Sequence, residues 1–407
     1  MSKFRKPKIT IVVGSLERGG CETHLLQVMP ALVALGYEVS VFLLFGEGVL
    51  ADAMRASGVY VDVGHPKWQS RKVPGGRIVK LASAVARLIR HLAKHRPDII
   101  HFFLPASYLI GAPVSLLIPG LIRVMSRRSL NKYMDQKPWV GAIERKLHGR
   151  MDAILANSQA VLRDLVVAEH VNPGKVGVIY NGVARSAADS GQNSSNWRAK
   201  VGAVPDSLLI CQVANLIPYK GHVDLFNALE RLKDRDWKLV LAGRDDGHGD
   251  FLRRLATDTG LVDRICFAGP VELIGELLEE SDILVLPSHE EGFSNALLEG
   301  MLAGLPCVAS NVGGNAEALG YGSAGILVPP KNPIELSEEL GKLMDDSSLR
   351  RSIGEMARSR AQRKYSLQAC IDQYDAFYTA IWRREDLHRL EGFKHHVSNE
   401  LTRFKAK

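Results

Sequence analysis

At 407 residues, with 46% hydrophobic side chains, the chain exceeds one ordinary domain and is apolar enough for two packed cores. Its 52 Lys and Arg against 44 Asp and Glu leave a net charge of +8, which favours an anionic partner: nucleotide phosphates, an anionic membrane or nucleic acid. Five scattered cysteines (Cys21, Cys211, Cys266, Cys307, Cys370) exclude a disulfide framework and a cysteine zinc site, and suit a reducing cytosol.

Met1 to Lys8 is basic and runs into a strand without the apolar run of a signal peptide. Short apolar runs then predict strands at Ile9–Val13, Glu38–Leu44, Tyr60–Val63, Ile99–Phe103, Arg123–Ser126, Ala153–Ala156 and Val176–Ile179. Helical spacing appears at Cys21–Leu35, Leu50–Ser57 and Ile78–His95. The stretch Ile99–Ile122 is the most apolar, but Pro105, Pro113 and Pro119 interrupt it, so it reads as strand, loop and buried helix rather than a membrane span. Further strands are expected at Leu208–Val213, Lys238–Ala242, Ile265–Ala268, Ile283–Leu286, Cys307–Ser310 and Gly325–Val328. Strands alternating with helices predict an α/β protein with two Rossmann-like, doubly wound parallel sheets. The expected division is a first domain at 1–183, a linker at 184–205, a second domain at 206–366 and terminal helices at 367–407. Ligands of such sheets bind beyond the carboxyl ends of the strands, in a cleft between the two domains.

Residues 67–96 carry Lys67, Arg71, Lys72, Arg77, Lys80, Arg87, Arg90, Lys94 and Arg96 and no acid. Ile78, Leu81, Val85, Leu88, Ile89 and Leu92 form a helical apolar stripe among them, which suits an anionic membrane surface. Nucleic acid is not expected, because no aromatic platform interleaves these charges.

Several motifs fall at strand ends. Gly19-Gly20 follow the first strand and allow close backbone approach, without a GxGxxG fingerprint. His101, Arg127 and Arg128 end first-domain strands and are candidate acceptor contacts, with Asn157 and Asn181 nearby in the pattern. Asn215 and Lys220 follow the first strand of the second domain, where the Lys220 ammonium suits a diphosphate. The acids of Arg244–Asp250 crowd one Gly-rich loop with no matching ligand cluster, so no metal site is expected. Gly269 ends a strand and Val271 is placed to lie against a base. The sharpest motif is Ser288–Glu299, in which a strand gives way to a turn and a helix starts near Ser294. Amides of Phe293, Ser294 and Asn295 at that helix start favour an anion. Glu291 and Glu299 flank them, and carboxylates accept hydrogen bonds from vicinal hydroxyls. A diphosphate between two polyols, the order found in a nucleotide sugar, fits.

Together these motifs resemble the family-4 retaining glycosyltransferases of GT-B fold, over nearly the whole chain. Glu291 and Glu299 match the family's Glu-x7-Glu pair. Gly19-Gly20 with Glu22, Tyr180-Asn181-Gly182-Val183, Lys220-Gly221 and Gly313-Gly314-Asn315 with Glu317 stand in the family's order. The resemblance implies a nucleotide-sugar donor, UDP-linked by family frequency. Glu299 would hold the ribose and Glu291 the donor sugar, while Gly292, Phe293, Ser294 and Asn295 meet sugar and diphosphate. Lys220 would neutralise the leaving group, and together with Glu291 would form the catalytic pair. Neither a metal nor another cofactor is implied. The last helices would cross back to the first domain. Asn215 stands where the family often has an arginine, and Phe103 where it often has a histidine. The expected protein is a retaining, metal-independent hexosyltransferase, peripheral on the cytoplasmic face of the cell membrane. It would serve a lipid-linked glycan or cell-surface polysaccharide precursor such as lipopolysaccharide. The alternatives are a GT-B UDP-sugar epimerase and a non-catalytic nucleotide-sugar-binding regulator.

Overall fold

The computed structural model describes residues 5–65, 76–131, 138–184 and 196–394. The chain folds as two compact units, Met1–Gly182 with Leu367–Lys407, and Val183–Ser366.

The first unit is built on β1 (Lys8–Val13), β2 (Glu38–Leu43), β3 (Tyr60–Val63), β4 (Ile99–Phe103), β5 (Ile122–Arg127), β6 (Ala153–Ala156) and β7 (Val176–Val178). They pair in parallel in the order β3-β2-β1-β4-β5-β6-β7. Successive side chains of a strand face opposite ways. Ile11 and Val13 therefore join one core with Leu25 and Met29 of α1 (Gly20–Ala34), and Val12 joins the other with Phe102 and Leu88. The first core is closed by Tyr374, Phe377 and Tyr378 of the helix Leu367–Trp382. After α2 (Ala51–Ala56) and α3 (Gly76–His95), β4 runs into α4 (Pro105–Ser115), whose first position is a proline that has no amide to waste there. No helix among the described residues is long and apolar enough to cross a membrane.

α3 departs from the sequence reading. Leu88 and Leu92 are buried, but so are Lys80, Ala84 and His91, while Ile78, Leu81 and Ile89 are exposed. The helix is rotated so that its small Ala84 meets Gly64, where a larger side chain would clash, and half of the apolar stripe is left outside. Lys67, Arg71 and Lys72 lie outside the described residues.

The second unit holds β8 (Leu208–Val213), β9 (Trp237–Ala242), β10 (Ile265–Gly269), β11 (Ile283–Leu286), β12 (Cys307–Ser310) and β13 (Ile326–Val328), in the order β10-β9-β8-β11-β12-β13. β8 and β11 are neighbours on opposite sides of the point where the strand order reverses. Of the expected linker, residues 185–195 lie outside the described residues. Its end is not a spacer: Trp197 is buried, and Arg198 reaches Asp282 at 2.5 Å and the Glu280 carbonyl at 3.1 Å.

Candidate active site

The reversal between β8 and β11 sets two loops against each other. After β8 the chain makes a tight turn at Pro218–Lys220 and leaves through Gly221, whose φ is +71°. A Cβ at Gly221 would collide with the Pro287 carbonyl, so glycine serves both the backbone angle and the contact. The His289 amide donates to the Tyr219 carbonyl at 2.7 Å, and Gln212 Nε2 to the Lys220 carbonyl at 2.9 Å. Clamped in this way, Lys220 Nζ lies 2.5 Å from Glu291 Oε1, which also accepts from Ser288 Oγ at 2.9 Å. The two side chains are only 17% and 10% exposed. Sequence reasoning gave Lys220 and Glu291 separate tasks and missed that they form one ion pair.

The helix Asn295–Ala303 starts where Ser294 Oγ accepts from the Leu297 amide at 3.3 Å, and ends at Gly304 with φ +84°. Phe293 is buried with its ring edge-on to Tyr365, 5.3 Å between centroids. Gly314 donates to the Gly292 carbonyl at 3.0 Å, and a Cβ at Gly313 would strike the Glu291 carbonyl. The Gly313-Gly314 turn is therefore a brace behind Glu291. One turn into the helix, Glu299 has no hydrogen bond or ion pair among the described residues. Burial of its carboxyl pushes its pKa up to about 7.

Asn215 does not stand free for a donor. Its Oδ1 accepts from the Arg244 amide at 3.2 Å and its Nδ2 donates to Asp246 Oδ2 at 2.9 Å. Asp246 also takes the Arg244 guanidinium at 2.6 Å. Asp245 Oδ1 caps the amides of Gly247, His248 and Gly249, so the acids of this loop are spent on its own turn. Those backbone bonds, Gly249 first, hold the Asp245 carboxyl below its usual range. Gly269, with φ +68°, accepts from the Gly243 amide at 2.8 Å, and Val271 follows it, part-exposed.

Gly19 and Gly20 belong to the first unit, at the start of α1, where the Glu22 carboxylate lies over Gly19 so closely that a Cβ there would strike it. Two of the expected acceptor contacts lie buried, with partners of their own. His101 is fully buried, with Nδ1 2.7 Å from the Tyr378 hydroxyl and Nε2 2.8 Å from Ser126 Oγ, so both ring nitrogens are taken inside the core. Arg127 is buried against Glu144 at 2.6 Å and Glu169 at 3.1 Å, and His148 Nε2 meets Glu169 at 2.8 Å. Glu144, His148 and Glu169 offer a metal-like set of donor atoms, but the Arg127 guanidinium already supplies the cation among them. Arg128 is half-buried, and its Nη2 donates to Asn181 Oδ1 at 2.6 Å. Phe103, beside His101 with centroids 4.3 Å apart, is sealed in the core.

Residues 193–360 match the glycosyl transferases group 1, and residues 18–186 match the glycosyltransferase family 4. The chain belongs to the group 1 glycosyl transferases, family 4. Its fold is GT-B, with two parallel-sheet α/β domains. A D-inositol 3-phosphate glycosyltransferase of Streptomyces bingchenggensis is 26% identical over 381 residues, 86% of this chain and 82% of the relative. Among solved structures, Anabaena Alr3699/HepE in complex with UDP and glucose superposes with a TM-score of 0.80 at 22% identity, over 92% of this chain and all of that one. WaaG, a glycosyltransferase involved in lipopolysaccharide biosynthesis, superposes with a TM-score of 0.73 at 20% identity, over 91% and 99% of the two chains.

Proposed function

We propose that this glycosyltransferase takes a UDP-sugar in its second unit and transfers the sugar, with retention and without a metal, to a lipid-linked glycan or cell-surface polysaccharide precursor at the cytoplasmic membrane face. The observation that carries the donor reading is the Lys220–Glu291 pair at the β8–β11 reversal, with the unpartnered Glu299 one helical turn beyond Asn295. The complex of HepE with UDP and glucose supports the choice of donor. Glu299 accepts from the ribose hydroxyls. The diphosphate lies at the start of the helix Asn295–Ala303, and Lys220 moves its charge from Glu291 toward the departing phosphate as the glycosidic bond breaks. Glu291, released from Lys220, accepts from the sugar hydroxyls. In a same-face reaction the leaving phosphate oxygen takes the acceptor proton, so rate comes from positioning and from charge stabilisation. A screen of UDP- and GDP-sugars by thermal unfolding tests the donor. A ligand at 100 times its Kd stabilises the protein by about 2.7 kcal/mol. A rise with UDP-sugars and none with GDP-sugars is expected; no rise with either class overturns the reading.

The membrane reading rests on α3. Ile78 is 81% exposed and Ile89 45%, with the exposed Arg90 and Lys94 on the same helix. α4 packs against both α3 and the helix Pro138–His148, and these neighbours add Leu117 and Trp139, 75% and 65% exposed. Exposed apolar side chains that include a tryptophan, with basic residues on α3, suit the headgroup region of an anionic bilayer. Each basic residue near such a surface adds about 1 kcal/mol. Arg90→Glu with Lys94→Glu is expected to release the protein from phosphatidylglycerol vesicles in a sedimentation assay. Unchanged sedimentation of that variant would show that α3 is not the contact.

A further inference from the structure

Glu291 has two hydrogen-bond donors, and both fall on one oxygen. Lys220 Nζ is 2.5 Å from Oε1, and Ser288 Oγ is 2.9 Å from the same atom. Oε2 makes no hydrogen bond among the described residues, and solvent reaches it. The carboxylate is thus held by one oxygen and presented by the other. The two holders differ in kind. Lys220 is a charge on a flexible four-carbon stem, and its proposed task takes it away from Glu291 as the diphosphate departs. Ser288 is fully buried, two residues after β11, on a side chain too short to follow. Its hydroxyl has Glu291 as its one hydrogen-bond partner among the described residues.

The backbone that carries Ser288 is fixed on both sides. Before it, the Pro287 carbonyl lies against Gly221, where a Cβ would collide. After it, the His289 amide donates to the Tyr219 carbonyl at 2.7 Å, and His289 Nε2 meets Asp224 Oδ2 of the helix His222–Glu230, also at 2.7 Å. The end torsion of a glutamate is broad and roughly two-fold, so a carboxylate without a fixed donor tilts or exchanges its oxygens at little cost. A hydrogen bond from an anchored hydroxyl to a charged oxygen removes that freedom.

We infer that Ser288 is a positioning residue for sugar transfer: it holds Glu291 by Oε1, so that Oε2 stays turned to the donor sugar after Lys220 has moved. This role deepens the donor reading and rests on it. A serine that only filled space at the strand end would leave the orientation of Glu291 to Lys220 alone.

The test measures release of UDP by the full chain from UDP-glucose, UDP-galactose and UDP-N-acetylglucosamine, with water as acceptor, and UDP affinity by calorimetry. The variants are compared on the fastest of the three. Ser288→Ala is expected to lower kcat by about 10–100-fold, the worth of a hydrogen bond to a charged group. Its UDP affinity is expected to equal that of the wild-type protein, since UDP carries no donor sugar. Ser288→Cys fills the same space with a weak donor, and is expected to fall with Ser288→Ala. In a Glu291→Gln background Ser288→Ala is expected to cost no more than the additivity error of about 2-fold. Wild-type turnover by Ser288→Ala or Ser288→Cys, a loss that adds in full to that of Glu291→Gln, or a loss of UDP affinity in Ser288→Ala, overturns the inference. Failure of the donor reading looks different: Glu291→Gln then turns over at the wild-type rate, or the wild-type protein turns over none of the three UDP-sugars, and the positioning role falls with it.

Discussion

Lys220→Ala is expected to lower kcat for sugar transfer by about 10²–10³-fold, the usual effect of removing one group that stabilises charge in a transition state. Glu291→Gln is expected to cost a similar factor by loosening the donor sugar. The two variants also separate activity from stability. The pair is mostly buried, so removing Lys220 alone leaves a carboxylate short of its cation. Such a loss costs about 3–5 kcal/mol in a sealed pair, and about 2 kcal/mol here, since solvent reaches a tenth or more of each side chain. Lys220→Ala combined with Glu291→Gln removes the orphaned charge and is expected to regain most of that stability in urea unfolding, yet none of the activity. Single variants that transfer sugar at the wild-type rate would place catalysis elsewhere.

The second large effect belongs to Glu299. Its carboxyl pKa rises from 4.5 to about 7 on folding, so the folded chain binds the proton more tightly than the unfolded one. The sign follows: the group costs nothing below pH 4.5, stability falls as pH climbs toward 7, and the full cost persists above it. At 1.36 kcal/mol per pH unit the cost is about 3 kcal/mol. Glu299→Gln, free of it, is expected to be more stable than the wild-type protein at pH 8 and equal to it near pH 4. Donor binding runs the other way. Ribose hydroxyls donate to the ionised carboxylate, so UDP affinity is expected to rise with pH through about 7, with protons released on binding. Titration calorimetry in buffers of different ionisation enthalpy measures that release. Glu299→Gln should lose about 10–100-fold in affinity together with the pH dependence. Equal affinity in the variant at every pH would remove Glu299 from the ribose.

The strands were legible because each is a short apolar run bounded by Gly, Pro or polar residues, and burial on both faces demands such runs. The Glu291–Glu299 loop was legible for a related reason: its residue types are those a helix start and an anion require. What stayed hidden depends on contacts between segments distant in sequence. Lys220 and Glu291 meet because Gly221 fits under the Pro287 carbonyl, a fact of three dimensions with no local signature. Arg127 and Arg128 are adjacent and chemically identical, yet one points at Glu144 and Glu169 and the other at Asn181, because alternate residues at a strand end face opposite ways. His101 looked like a cleft residue until Tyr378, 277 positions later, was found on its Nδ1. Asn215 was assigned by its place after β8, and its amide turns out to fasten the next loop.

That distant helix, Leu367–Trp382, bears on how the protein is made. It covers α1 and β1, and its Tyr374 and Tyr378 hydroxyls meet His24 and His101. On the ribosome β1 to β7 emerge before the second unit, but the helix that closes their core emerges after it. The stretch between has its own ends side by side, Val183 bridging to Ser366 with its amide 2.9 Å from the Tyr365 carbonyl. The stretch from Val183 to Ser366 is thus equipped to fold during translation, while β1 to β7 wait, with their Leu25–Met29 face open to chaperones, for the helix Leu367–Trp382 to follow.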